Sequence, residues 1–319
     1  MLGVMLLDAE KDPLRIRRLQ AFAEHVLLQA SHRQDETLFA LFQRKSRLSE
    51  RYSIEHSLSC ALVAHWVALQ LDWAIDERRA LVNAALTMNI SITALQNELA
   101  HRERPLTIEQ RQAIAGHSRQ SADLLRGWGI SDALWLNAVE SHHSPRERGL
   151  PLSSLEPSDR LTELLQHVDV FLAKLSPRAG RRPLLATIAA RDACIGPDGQ
   201  PNEIGAATLR VLGLYPPGTW VKLASGEFAV VLRRGARADQ PLVASVADAK
   251  RQPFEVPVVC RTDEPVLAVQ AACRADDVRL TYGQDLLWSL VTDQAPLAPT
   301  AGRSAERDSD RASTPAVPT

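Results

Sequence analysis

The adjacent histidines His142 and His143 close the segment SDALWLNAVESHH, and His117 sits in the middle of AIAGHSRQSADLL, where Gly116 permits close approach. Asp169 lies in QHVDVFLAKL with apolar neighbours on both sides, and His56 opens the strongly apolar IEHSLSCALVAHWVALQL. A carboxylate in such surroundings needs a cationic, N–H or metal partner. Three imidazoles and a carboxylate suit Fe, Mn or Zn, and open positions on such an ion serve to activate water or polarise a phosphoryl oxygen. Any one of these histidines alone reads as an ordinary helix or surface residue; the adjacent pair is what points to a metal. His25, His32, His65 and His101 have no such company and are expected to be structural or solvated. His167 precedes Asp169 by two positions and so points elsewhere on a helix. Arg178, with Arg181 and Arg182, makes a basic turn that is ordinarily solvated but also suits a phosphate-bearing ligand.

Spacing alone does not bring these side chains together, so the elements that carry them must. Apolar periodicity predicts helices over 13–30, with Pro13 near the start, and over 36–42, 54–71 and 76–89. Thr107 to Gln110 has capping-box spacing and predicts a helix to about Arg126, which Gly127 and Gly129 stop. Ser131 and Asp132 open a helix over 131–143 that ends at the histidine pair, and further helices are expected over 158–175 and 182–194. No internal repeat is visible. From about 215 the period changes: TWVKLASGEFAVVLRRG holds two β-prone runs around Ser225-Gly226, a hairpin signal. PLVASVAD, EVPVVC and VRLTY read as further strands, and the Pro-, Ala- and Ser-rich end lacks apolar periodicity. The expected fold class is mainly α, a helical bundle with a small β-rich C-terminal appendage. Its parts are a helical lead-in (1–49), a helical domain (50–213), a β-rich segment (214–292) and a disordered tail (293–319).

Composition narrows the function classes. At 319 residues the chain is long enough for one large or two ordinary domains with a sizeable core. Its 45% apolar and 24% charged residues are the mixture of a soluble globular protein. A formal net charge of −1 gives no electrostatic case for nucleic acid or an anionic membrane as partner. Cys60, Cys194, Cys260 and Cys273 form no CxxC pair, which excludes zinc ribbons and redox motifs, and Cys60 is expected to be a buried thiol. The apolar run in MLGVMLLDAEKDP is too short to span a membrane and lacks the basic lead and cleavage site of a signal peptide, so a cytoplasmic location is expected.

In this order, His56, Met88-Asn89, His117, His142-His143, Asp169 and then YPPGTWVKLASGEFAVVLRRG, the chain resembles the HD-GYP family. Those proteins are bacterial phosphodiesterases of cyclic di-GMP within the HD metal-phosphohydrolase superfamily. The likeness spans roughly residues 50 to 235 and implies an HD-type helical bundle. It places His56 on the family's first ligand histidine, His117 on the histidine of its middle helix, and His142-His143 on the HH of its second signature. Asp169 falls on the aspartate of the family's "DVFDAL", here DVFLAK, and Arg178 on the arginine that follows. Leu106-Thr107 matches its "LT", and Tyr215-Pro216, Gly218-Thr219, Val221, Leu223 and Gly226-Glu227 match the tail element.

The departures bear on chemistry. The family's HD doublet, which bridges its metal ions, aligns with Met88 and Asn89, and the lysine of "HDIGK" with Ile92. The glutamate four residues before the first ligand histidine is Tyr52, although Glu55 stands beside His56. HHSPRERGLP keeps Gly149 and Pro151 of the long second signature but not its glutamate or tyrosine. A bridging carboxylate offsets the repulsion of two divalent cations, which neutral Asn89 does not do, and Met88 offers a soft thioether where nitrogen or oxygen is wanted. The resemblance thus implies a degenerate signalling protein without normal two-metal hydrolysis. It would bind cyclic di-GMP, another phosphate-bearing ligand or a protein partner. One Fe, Mn or Zn ion is expected on the remaining histidines, or none. Two alternatives stand beside this. One is an active metal-dependent phosphodiesterase with a mononuclear site, Glu55 or Glu140 as an added ligand, and Arg178 on the phosphate. The other is a metal-free HDOD-like scaffold, in which His117, His142 and His143 do not converge.

Overall fold

The computed structural model describes residues 14–29, 32–45, 49–144, 150–195, 202–278 and 284–293. The opening MLGVMLLDAEKDP with Pro13, the stretch containing Gly149 and the expected tail after Asp293 lie outside them. Among the described residues ten α-helices precede the sheet, in the order α1 (Arg15–Gln29), α2 (Gln34–Lys45), α3 (Tyr52–Gln70), α4 (Ile75–Thr87), α5 (Thr93–Ala100), α6 (Ile108–Gly127), α7 (Ala133–Ser141), α8 (Pro157–Leu175), α9 (Ala186–Cys194) and α10 (Glu203–Leu212). The class is mainly α with a small β-rich C-terminal part, as the periodicity predicts.

Helix α3 is the axis of the helical part. Fourteen of its nineteen residues are buried, so it packs on nearly all sides, against α4, α5, α8 and α10. Helix α4 ends at Met88 without Gly or Pro. Thr87 Oγ1 donates to the Asn83 carbonyl at 2.7 Å and accepts from Trp135 Nε1 at 2.8 Å, which ties this end to α7. A short 3-10 turn, Ile90–Ile92, follows at once. At the other end of α4, Glu77 accepts from the Ala74 N–H at 3.2 Å and from Arg160 Nε at 2.9 Å, joining α4 to α8. The capping box of α6 forms as its spacing predicts: Gln110 N–H donates to Thr107 Oγ1 at 3.2 Å, and Thr107 N–H to Gln110 Oε1 at 3.1 Å. Asp132, and not Ser131, caps α7, accepting from Trp135 N–H at 3.0 Å.

The C-terminal strands β1 (Trp220–Leu223), β2 (Phe228–Arg233), β3 (Leu242–Ala247), β4 (Pro253–Arg261) and β5 (Val269–Cys273) form one antiparallel sheet in the order β4-β3-β2-β1-β5. The hairpin turns at Gly226, whose φ of +91° is one that glycine adopts at no steric cost. Of the expected strand VRLTY only Val278 is described, and it ends the short helix α11 (Ala275–Val278); Arg279 to Tyr282 lie outside the described residues. The edge beside β1 is taken by VQAAC, a segment of low β-propensity recruited by the unpaired edge rather than by its own preference.

The lead-in helices pack into both later parts. Helix α1 contributes Leu19, Ala23, Val26 and Leu27 to the helical core. Helix α2 serves both cores, with Leu38, Leu41 and Phe42 turned to the helices and Phe39 to the sheet, where helix α12 (Gln284–Thr292) adds Leu287 and Val291. Buried Arg233 pairs with Glu36 at 3.3 Å and donates to the Val291 carbonyl, while Arg234 Nε donates to Asp35 at 2.6 Å. Gly218 has φ +88°, and a Cβ there would stand 2.6 Å from the Phe39 carbonyl oxygen, so this turn needs glycine to reach α2. Among the described residues no helix is long and apolar enough to cross a membrane.

His65 lies on α3, buried, with neither ring nitrogen hydrogen-bonded among the described residues. Burial, with Arg78 adding to it, lowers its pKa from 6.5 to about 4. The unfolded chain therefore binds one more proton between those values, so stability is full above the unfolded pKa and falls as pH drops toward the folded one. Denaturant unfolding at stepped pH should show His65→Leu losing less stability than wild type from pH 6.5 to about 4. The difference should reach up to about 1.4 kcal/mol per pH unit. Parallel curves would remove His65 as the titrating group.

Candidate metal centre

Helices α6 and α7 pack together and bring His117 and His142 edge to face, ring centroids 5.1 Å apart. Each ring spends Nδ1 on its own helix: His117 Nδ1–H donates to the Ile114 carbonyl at 2.6 Å, and His142 Nδ1–H to the Val139 carbonyl at 2.7 Å. The unprotonated nitrogen of each ring is then Nε2, and the two Nε2 atoms face one another at 3.2 Å. Burial lowers the His117 pKa, against the pull of the Ile114 carbonyl, and lowers that of His142 to about 4, with the neighbouring His143 adding to the effect. Burial thus disfavours the charged form of both rings, and the neutral form is the one that binds metal. His143 completes the group, its ring centroid 5.0 Å from that of His117 and 4.1 Å from that of His142. One ligand nitrogen from each of the three lies within 4.8 Å of the others. The His143 side chain is 45% exposed, so the group opens to solvent on that side.

A second group lies alongside, where α3 meets α8. His56 Nε2–H donates to Asp169 Oδ1 at 2.7 Å, and Cys60 Sγ stands 3.5 Å from the same nitrogen. Burial pushes the Asp169 carboxyl up, but the His56 hydrogen bond and charge, with His142 and His143 farther off, more than offset it and hold the pKa at about 2. The other carboxylate oxygen, Oδ2, is 3.9 Å from His143 Nε2, so one carboxylate spans the two groups. Behind His56, Tyr52 stacks on the imidazole with centroids 5.6 Å apart and planes 6° from parallel. Arg178 lies over the other partner of that stack, its guanidinium 4.9 Å from the Tyr52 ring centre and Nη2 donating to Tyr52 Oη at 2.6 Å. Burial raises the Tyr52 pKa against the pull of Arg178, which keeps the phenol neutral as an acceptor. Arg178 Nε is buried with no hydrogen-bond partner among the described residues.

The structure therefore gathers His56, His117, His142, His143 and Asp169 from four helices, with Arg178 one ring away. Met88 is fully buried in the helical core, and Ile92 is buried at the position where the family carries lysine. Asn89 is also buried, between two ties: Thr87 to Trp135 on one side, and Ser91 Oγ to the His117 carbonyl at 3.0 Å on the other. Glu55 pairs with Arg44 at 3.8 Å and Glu140 with Arg126, and neither belongs to a metal-type group among the described residues. Cys60, expected only as a buried thiol, and Tyr52, noted only as a departure from the family's glutamate, both belong to this site. Both stand one helical turn from His56, at i+4 and i−4, a spacing that puts them on one face. No protein-family model, curated protein or solved structure matches the chain, so the HD-GYP resemblance rests on the residues quoted for it.

The Tyr52 hydroxyl is the acceptor for a partly buried guanidinium. Tyr52→Phe should lower the free energy of unfolding by about 1–3 kcal/mol, because a charged donor loses its partner while the ring contacts stay. Chemical denaturation measures this, and an unchanged midpoint would show that water serves Arg178 equally well.

Proposed function

We propose that this chain is a degenerate HD-GYP-like bacterial signalling protein. It holds one divalent transition ion (Fe, Mn or Zn) on His117, His142 and His143. It lacks normal two-metal hydrolysis of cyclic di-GMP, and works by binding a phosphate-bearing ligand or a protein partner in the cytoplasm. The observation that carries this reading is the pair of bare Nε2 atoms 3.2 Å apart, with both Nδ1–H groups already donated to carbonyls. While both rings are neutral, their two facing lone pairs repel. An ion bonded to both at about 2.0–2.1 Å in tetrahedral geometry would set them about 3.3 Å apart, close to what is seen. Backbone carbonyls on the distal ring nitrogens are the usual support of metal-bound histidine. The convergence favours this over a metal-free HDOD-like scaffold.

Loss of hydrolysis follows from the doublet. Neutral Asn89 supplies no bridging charge, and Met88 belongs to the packed core, where its polarisable side chain fills space. Arg178, with its unmatched Nε and its place beside the Tyr52–His56 stack, supports a role in holding phosphate. The exposed side of His143 favours one second reading, a mononuclear phosphodiesterase, in which bound metal would supply Lewis acidity at the open position.

Elemental mass spectrometry on protein purified anaerobically, without an affinity metal, should find transition metal, with one equivalent lost in His143→Ala. Equal content in both would overturn the three-histidine assignment. Wild type should leave cyclic di-GMP uncleaved with added Mn²⁺ or Fe²⁺, whereas robust linearisation would replace the binding reading by the mononuclear enzyme. Restoring the doublet with Met88→His and Asn89→Asp should raise metal content above that of wild type. No rise would mean that these positions do not face the histidines.

A further inference from the structure

We propose that His56, Cys60 and Asp169 form a second metal site, distinct from the three-histidine group, that takes a thiophilic divalent ion, zinc above all. It goes beyond the functional reading above and does not depend on it, because none of its three donors belongs to the histidine group.

The local sequence builds the site. Cys60 follows His56 by one helical turn on α3, so the two side chains project from one face, and α8, packed on that face, brings Asp169. All three residues are buried, at 3%, 0% and 9% relative exposure, and their ligand atoms lie within 4.8 Å of one another. The same atom, His56 Nε2, faces both Asp169 Oδ1 at 2.7 Å and Cys60 Sγ at 3.5 Å. A cysteine nucleophile relay needs the acid on one ring nitrogen and the thiol on the other. Here both partners converge on one nitrogen, the arrangement of ligands about a common centre.

Distances agree with a tetrahedral ion. Bonds of about 2.3 Å to sulfur and about 2.0 Å to nitrogen place those two atoms about 3.5 Å apart, the separation observed between Cys60 and His56. The nitrogen–oxygen edge of such an ion is about 3.4 Å, so the His56–Asp169 hydrogen bond lengthens by about 0.7 Å on binding. Charge agrees as well. A thiolate and a carboxylate together cancel a divalent ion, so the loaded site is neutral, as a buried group must be to avoid a large desolvation cost. Binding releases the Cys60 thiol proton to solvent, and His56 must carry its one ring proton on Nδ1 for Nε2 to bond the ion. Sulfur among the ligands selects zinc, cobalt or ferrous iron over magnesium or manganese. Three protein donors leave one position of a tetrahedral ion for a small ligand.

The test is an anaerobic titration of the metal-free full chain with Co²⁺, which reports a thiolate ligand as a near-ultraviolet charge-transfer band. Wild type should show the band. A variant with Cys194, Cys260 and Cys273 all changed to Ser should keep it, and Cys60→Ser should lose it together with one cobalt equivalent. His143→Ala should keep the band while losing the other equivalent. No band in wild type, or loss of the band in the variant that retains only Cys60, overturns the site even if Cys60→Ser proves too unstable to study. Cobalt bound without the band, and lost in His143→Ala, would overturn this site and leave the histidine group standing. The band with a single equivalent, unaffected by His143→Ala, would do the reverse.

Discussion

Two buried imidazoles whose Nε2 atoms face each other at 3.2 Å, each with Nδ1–H already given to a carbonyl, are the constraint on which the rest of this structure turns. His117 and His142 have each committed Nδ1–H to a carbonyl three residues back on their own helix, so neither can rotate its lone pair away without losing a buried hydrogen bond. Burial disfavours the charged form of both rings. A cation between them would relieve the repulsion of two neutral rings held in this way. The open flank at His143 and the adjacent Asp169 carboxylate then become parts of one electrostatic arrangement rather than separate curiosities.

The fold holds that arrangement from several sides. Capping at Thr107 and Asp132 sets where α6 and α7 begin, and hence which turns carry His117 and His142. The Thr87–Trp135 and Ser91–His117 hydrogen bonds pin the segment between α4 and α5 against those two helices. Helix α3, buried almost throughout, fixes His56 against α8 and Asp169. Farther away, α2 joins the helical core to the sheet through Phe39 and the Arg233 and Arg234 pairs. The β-rich part is thereby coupled to the helices by buried charge and by the glycine contact at Gly218.

Much of this was legible in the sequence where the signal is local. The capping box at Thr107–Gln110, the Asp132 cap, the Ser225-Gly226 turn and the apolar run of α3 all formed close to where their patterns placed them. The convergence of His117 with His142-His143 was not local. Only an order of motifs that resembles a known family's suggests it, because no spacing rule joins residues twenty-five positions apart on two helices. Cys60 was read as core because everything around it is apolar, and its i+4 relation to His56 went unweighed. VQAAC carries no strand signal of its own because its pairing is imposed by the edge of β1.

The account stands or falls on an ion between His117 and His142. Anomalous diffraction from crystals of the metal-loaded protein, collected at the absorption edge of the metal found in solution, tests this most directly. The account predicts an anomalous peak within about 2.3 Å of Nε2 of both rings and of a His143 nitrogen. A metal-loaded crystal with no peak there, and with one of the rings flipped to donate a hydrogen bond to the other, would contradict it.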